Sequence, residues 1–274
     1  MKRSPETAKR GSDRIPVTEL FELYGLLRKM QQQDRLAMAS WLASEPDVLA
    51  RMFSRSVKQF EAYHPNPGEP FHRGHKSPPP NSQPDAETGR GVACRLHDAS
   101  SGPFGSWRVT ARPKIEMALV DYELKPTRTT GGARFEDGRP ATSGLTLDLL
   151  LRDPSGVPAV CEVKTPTDMD PFFAVVQALA CTAELVPILQ RERLTTQFKK
   201  LARTGPLDVF VLQIPSPADV KSTYLPQLKE KAIELIVGLR KQKQLKAQIR
   251  RLALLEWRKT DSEVEIVEVS SLST

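Results

Sequence analysis

The sequence predicts an α/β fold in which strands of a central sheet are covered by helices. Three observations carry this. Leu145 to Arg152 and Val157 to Lys164 are short apolar runs joined by Asp153-Pro154-Ser155-Gly156, the pattern of a tight β-hairpin. An apolar helical stretch with a good N-cap at Asp170 follows the hairpin. Leu207 to Ile214 (LDVFVLQI) then reads as a strand buried on both faces.

A chain of 274 residues, 39% of them hydrophobic, can bury a sizeable core in one or two domains. No apolar run has the length of a membrane span, and the basic first residues lack the apolar stretch of a secretory signal. A cytoplasmic protein without membrane association is therefore expected. Cys94, Cys161 and Cys181 make an odd count, read as reduced structural thiols. The net charge of +7 favours a polyanionic partner, because cationic side chains on a phosphate backbone release counterions.

In chain order, residues 1–16 form a basic tail. Residues 17–63 read as two or three amphipathic helices: Leu20, Leu23, Tyr24, Leu27 and Met30 recur at helical spacing, then Leu36, Met38, Trp41 and Leu42, then Val48 to Phe60. This segment could contact nucleic acid, a partner protein or a second copy, or be only a structural extension. Residues 64–104, with Pro78-Pro79-Pro80 and few apolar residues, read as a flexible linker. Inside it, His72-x-x-His75 and Cys94-x-x-His97 have the short spacing of zinc-ligand pairs, without an obvious fold between them.

The main domain is expected over 105–274. Within Arg112 to Leu124, Glu116, Leu119, Val120 and Glu123 fit a helix. Pro126 to Ser143 is a glycine-containing loop with Arg128, Arg134 and Arg139, suited to a phosphate backbone or to no ligand at all. After the hairpin and its helix, Pro187 breaks the helix and Ile188 to Leu201 continues as a polar one. Ser222 to Arg251 reads as one long helix with a basic face, and Leu252 to Trp257 with Val264 to Val269 as a closing hairpin.

The hairpin register decides which side chains meet. A type I turn followed by glycine in the left-handed conformation is a common three-residue loop. With Gly156 in that role Asp153 pairs with Val157, and counting back sets Asp148 opposite Glu162. Lys164, two residues on, shares their face, while Leu147, Leu149, Cys161 and Val163 point the other way. Opposed carboxylates repel unless a cation compensates, and paired oxygens suit a hard divalent ion. On the following helix Gln177 is the polar exception, and its amide could serve a metal-bound water or a phosphate.

Asp148, then Glu162-Val163-Lys164 one hairpin later, then a helix carrying Gln177, resembles the core of the PD-(D/E)xK nucleases, over about Lys114 to Pro215. Leu147 stands where the motif's name-giving proline would be. The resemblance implies a restriction-endonuclease-like fold: a mixed central sheet flanked by helices, here preceded by the helical segment and the proline-rich linker. It implies a Mg²⁺-dependent phosphodiesterase, with Mn²⁺ as a possible substitute, acting on nucleic acid and most readily on DNA. Asp148, Glu162 and the Val163 carbonyl would hold the metal. Lys164 would orient the attacking water or stabilise the transition state, and Gln177 would position water or phosphate. Glu116, with Glu123 in reserve, would be the family's upstream acid. Lys164→Ala is then expected to abolish cleavage while sparing the fold. A catalytically inactive nucleic-acid-binding or scaffold protein is the alternative.

Overall fold

The structure, a computed structural model, describes residues 17–63, 70–73, 107–109, 115–127, 144–165, 170–214, 223–259 and 264–270. Helices α1 (Glu19–Lys29), α2 (Gln32–Ser44) and α3 (Pro46–Glu61) come first, followed by short strands β1 (His72–Arg73) and β2 (Trp107–Val109). Strands β3 (Ile115–Lys125), β4 (Leu147–Arg152) and β5 (Pro158–Lys164) precede helices α4 (Pro171–Leu185) and α5 (Ile188–Gln197). Then come β6 (Leu207–Gln213), α6 (Tyr224–Arg240), the single turn α7 (Lys243–Lys246), β7 (Ile249–Lys259) and β8 (Val264–Glu268).

The protein is α/β, with a mixed sheet flanked by helices. Strands run β3-β4-β5-β6-β7-β8 across it; β5/β6 and β6/β7 are parallel and the other neighbours antiparallel. Parallel neighbours need long crossovers, which α4 with α5 and α6 with α7 supply. The two short strands extend β3, and β2 also meets β8 at Val109–Ile266.

Strand alternation sorts the sheet into two cores. Leu150, Val160, Val209, Val211, Leu252 and Leu254 face the helices and share one cluster with Leu20, Leu27, Leu49, Phe53, Val176 and Ile236. Tyr122, Leu149, Cys161, Phe210, Leu212 and Leu255 belong to a second cluster, whose fully buried members among the described residues all lie on strands. The α4 segment is apolar on nearly every side and buries all its residues but Gln177, as a helix between sheet and helices must. Each such Phe or Val contributes about 1.5–3 kcal/mol by leaving water, so α4 is a fixed platform.

Several expectations change. Arg112 to Leu124 contains strand β3, not a helix; its apolar residues meet cores on both sides, and pairing with β4 outweighs a pattern compatible with either element. The helix expected over Ser222 to Arg251 ends at Arg240, and β7 starts at Ile249. Residues 17–63, read as a contact surface or a structural extension, share the main core. Within the expected linker, residues 70–73 are ordered into the fold: Phe71 is buried beneath the Arg193 guanidinium, and its N–H donates to Gln197 Oε1. Leu147 joins the helix-side core rather than that of Leu149, because β4 changes face at Asp148. His72 lies on β1; His75, Cys94, His97 and the arginines of the 126–143 loop lie outside the described residues.

No single described helix is long and apolar enough to cross a membrane; α4 and α5 pass together only as a pair bent by 89°. Cys161 and Cys181 are free and buried.

Candidate active site

The hairpin has the expected register. Gly156 takes φ +87°, its N–H donates to the Asp153 carbonyl at 3.0 Å, and Asp153 N–H donates to the Val157 carbonyl at 3.0 Å. A Cβ on Gly156 would lie 2.7 Å from the Lys200 carbonyl oxygen, so both backbone angle and space call for glycine. Asp153 fixes the turn further: its carboxylate accepts from Ser155 Oγ, Val157 N–H and Arg250.

The regular β4/β5 ladder runs from Arg152–Pro158 to Leu149–Cys161, one step short of Asp148 and Glu162. There the strands part, and the Asp148 carboxylate accepts the Val163 N–H at 2.8 Å in place of a backbone partner. Lys164 C=O accepts from Ile214 N–H, the residue that follows β6. By strand alternation the Val163 carbonyl therefore faces the opposite edge of β5, the side of Asp148. Lys164 Nζ lies 3.2 Å from Glu162 Oε1 and 5.3 Å from the centre of the Phe173 ring.

Glu162 and Lys164 are 2% and 3% exposed, too buried for water to stabilise an ionised group. Burial, then the neighbouring Asp148 charge, pushes the Glu162 carboxyl well above its ordinary range, with Lys164 opposing. Burial also raises Asp148, against Lys164 and the Val163 amide. Glu162 Oε2 is buried without a hydrogen-bond partner. Two carboxyls side by side with an orphaned oxygen need a proton or a cation between them. Asp148, Glu162 and the Val163 carbonyl thus fit a hard divalent ion completed by water, which two carboxylates suffice to hold. Among the described residues, no three His, Cys, Asp or Glu side chains gather closely enough to hold a metal by themselves.

These residues floor a cavity of about 360 Å³, walled by Thr165, Phe173 and Gln177 and by Tyr24 and Arg28. Helix α4 presents Phe173 and Gln177 one turn apart; its N-cap Asp170 accepts from Phe173 N–H at 3.0 Å and is gripped by Arg35 of α2 at 2.9 Å. Gln177 is only partly buried, and its amide makes no hydrogen bond among the described residues. Helix α1 is held by Leu20, Leu23 and Leu27, which turns Tyr24 and Arg28, four residues apart, toward the cavity. Tyr24 stacks on Phe173, with ring centres 5.3 Å apart, and burial raises its hydroxyl's pKa.

Asp148, Glu162, Val163, Lys164 and Gln177 are therefore brought together, and Glu116 is not. Glu116 sits on β3 beside Asp153, Pro154 and Arg251, at the turn end of the hairpin. Its expected place near the carboxylates depended on a helix that is a strand. Glu123 is the nearer acid: the β3/β4 register sets it opposite Asp148, whose proton affinity its charge raises. It has φ 49°, the one non-glycine residue with positive φ among those described.

The basic face expected over Ser222 to Arg251 is compensated in part. Arg240 pairs with Glu268, Arg250 with Asp153 and Asp208, and Lys229 with Glu256. Tyr24 and Arg28 were not found from sequence, since no local signal says that a helix some 120 residues upstream (by the numbering) covers the hairpin. Comparison of the chain with known protein families, curated proteins and solved structures finds no match.

Proposed function

We propose that the protein is a metal-dependent phosphodiesterase acting on nucleic acid, DNA foremost, with the active-site arrangement of the PD-(D/E)xK nucleases. The observation that carries this is the grouping of half-buried Asp148 with buried Glu162 and Lys164 around a cavity, with Glu162 Oε2 left without a partner among the described residues. A stabilising ion pair would not include a second carboxylate with raised proton affinity. A site for a cation does.

Phosphodiester hydrolysis needs an activated water, neutralised charge on the phosphoryl oxygens and a leaving oxygen that can depart. A divalent ion, when bound, supplies Lewis acidity and a more acidic water. Asp148 and Glu162 would hold it, with Asp148 fixed by the Val163 amide and Glu162 by Lys164. Lys164 places a positive charge beside the reacting phosphate and can orient a water for attack. Gln177 offers from the cavity wall an amide with no hydrogen bond among the described residues. The antiparallel β3-β4-β5 unit leading into parallel β6, with α4 lying against β5 and β6, supports the finer fold assignment.

The test is to incubate purified protein with plasmid, linear duplex and single-stranded DNA and with RNA, in Mg²⁺, Mn²⁺ or EDTA. Cleavage dependent on metal and lost in Asp148→Asn is expected. Binding that persists in EDTA, with no cleavage in either metal, would instead identify a binding protein.

A further inference from the structure

The cavity's remaining wall belongs to the N-terminal segment, and its charge is unexplained by the carboxylates and Lys164. Arg28 is solvent-exposed at the mouth of the cavity and makes no ion pair among the described residues. Lys164 cannot reach outward in its place, because it is buried and bonded to Glu162. The helix dipole accounts for basic residues in the last turn of α1, where both Arg28 and Lys29 lie. It does not account for which of them lines the cavity, and only Arg28 does.

The stretch of α1 that carries Arg28 is held in place. Tyr24, one turn earlier on the same face, stacks on Phe173 of α4, and Leu20, Leu23 and Leu27 seat α1 in the core. A planar guanidinium at the rim of a cavity with a carboxylate floor suits a phosphate oxygen pair, which it can grip with two parallel N–H bonds. The acidic floor would repel a polyanion; a cation at the rim offsets that repulsion where the chain enters.

We infer that Arg28 is a substrate-binding residue, gripping a backbone phosphate of nucleic acid beside the one being cleaved, and that α1 is therefore part of the active site. This rests on the phosphodiesterase reading. It gives the N-terminal helices a role in substrate binding.

The test compares full-length wild type, Arg28→Ala, Arg28→Lys and Lys29→Ala for binding to a short fluorescein-labelled DNA, single-stranded and duplex, with Ca²⁺ replacing Mg²⁺. Anisotropy is read across a salt series. Arg28→Ala should weaken binding about tenfold, the scale of one charge-assisted contact. It should also lower the slope of log K against log salt by about 0.7–0.9, one phosphate's worth. Arg28→Lys should keep the slope and recover part of the affinity; Lys29→Ala should change neither. Wild-type affinity and slope in Arg28→Ala, with the wild type cleaving nucleic acid, would overturn this inference and leave the nuclease reading standing. Equal losses in Arg28→Ala and Lys29→Ala would also overturn it, showing a diffuse basic surface. A wild type that neither binds nor cleaves would remove both.

Discussion

Replacing Glu162 by glutamine should stabilise the protein without metal and destabilise it relative to wild type with metal. With Cβ atoms about 5 Å apart and an effective dielectric near 20, two full charges at Asp148 and Glu162 repel by roughly 3 kcal/mol. The Lys164 contact at 3.2 Å is worth roughly 5 kcal/mol in the same arithmetic. Coulomb terms alone would thus keep Glu162 ionised. Burial opposes this, because removing an ion from water costs several kcal/mol, and it is the largest cause of the raised Glu162 pKa. Glutamine removes that cost, keeps an oxygen for Lys164, and places an amide N–H₂ where Oε2 now lies unsatisfied beside Asp148.

The expected gain is about 1–2 kcal/mol in EDTA, seen as a Tm higher by ~2–8 °C. In Mg²⁺ the order should reverse. Ion at about a hundred times its Kd stabilises wild type by about 2.7 kcal/mol, whereas the variant has lost a ligand and should barely respond. Thermal melts of both proteins in EDTA and in Mg²⁺ measure this. A variant less stable than wild type in EDTA would show that Glu162 serves the fold as an ion-pair partner. A metal-induced shift that survives in the variant would show that Glu162 is not a ligand.

The remaining predictions use the same melts or simple assays. Asp148 and Glu162 have folded pKa values above their ordinary ones, so the stability they contribute is full below the ordinary carboxylate range and lost as pH rises through the folded values. Metal-free Tm should fall as pH rises above the ordinary carboxylate range relative to a Glu162→Gln background, and Mg²⁺ should flatten the fall by binding the ionised pair; a pH-independent difference would refute it. Lys164→Ala is not expected to spare the fold, since the ammonium is 3% exposed between two acids; it should cost about 2–3 kcal/mol in EDTA, less in Mg²⁺, and abolish cleavage, and normal turnover would remove Lys164 from the mechanism. Gly156→Ala meets both the φ of +87° and the 2.7 Å approach to Lys200 and should cost about 2–4 kcal/mol in a urea titration; a loss under 1 kcal/mol would mean the turn adjusts freely.

What could be read from the sequence was local. The Asp153–Gly156 turn, the meeting of Asp148 with Glu162 and the Asp170 cap depend on residues within a few positions or on a two-residue period counted from a turn. What could not be read depends on distant partners. Ile115 to Lys125 carries acids and apolar residues at spacings that serve a helix or a strand, and only β4 alongside decides. The helical reading put Glu116 first and Glu123 in reserve, whereas the strand sets Glu123 opposite Asp148. The arginines near 250 look like a solvated basic face until Asp153 and the buried Asp208 are brought beside them. Tyr24 and Arg28 are ordinary residues of an amphipathic helix until that helix is laid over the cavity.

The site lies where the sheet stops being regular, and one distortion accounts for its parts. At Glu123 the backbone turns left-handed, which costs a non-glycine residue about 1–3 kcal/mol. Opposite it β4 changes face, so Leu147 and Leu149 fall into different cores although two residues apart. The β4/β5 ladder ends at the same level, which leaves the Val163 peptide without a backbone partner on that edge and Asp148 free to take its N–H. A regular ladder would have paired that peptide with β4 and left its carbonyl unavailable to any ion. The irregularity is therefore what sets two opposed strand acids, otherwise merely repulsive, beside a carbonyl that faces the Asp148 side of β5. Its cost is borne by the α4 platform and the two cores on either side, which hold β4 and β5 together up to the residue where they part.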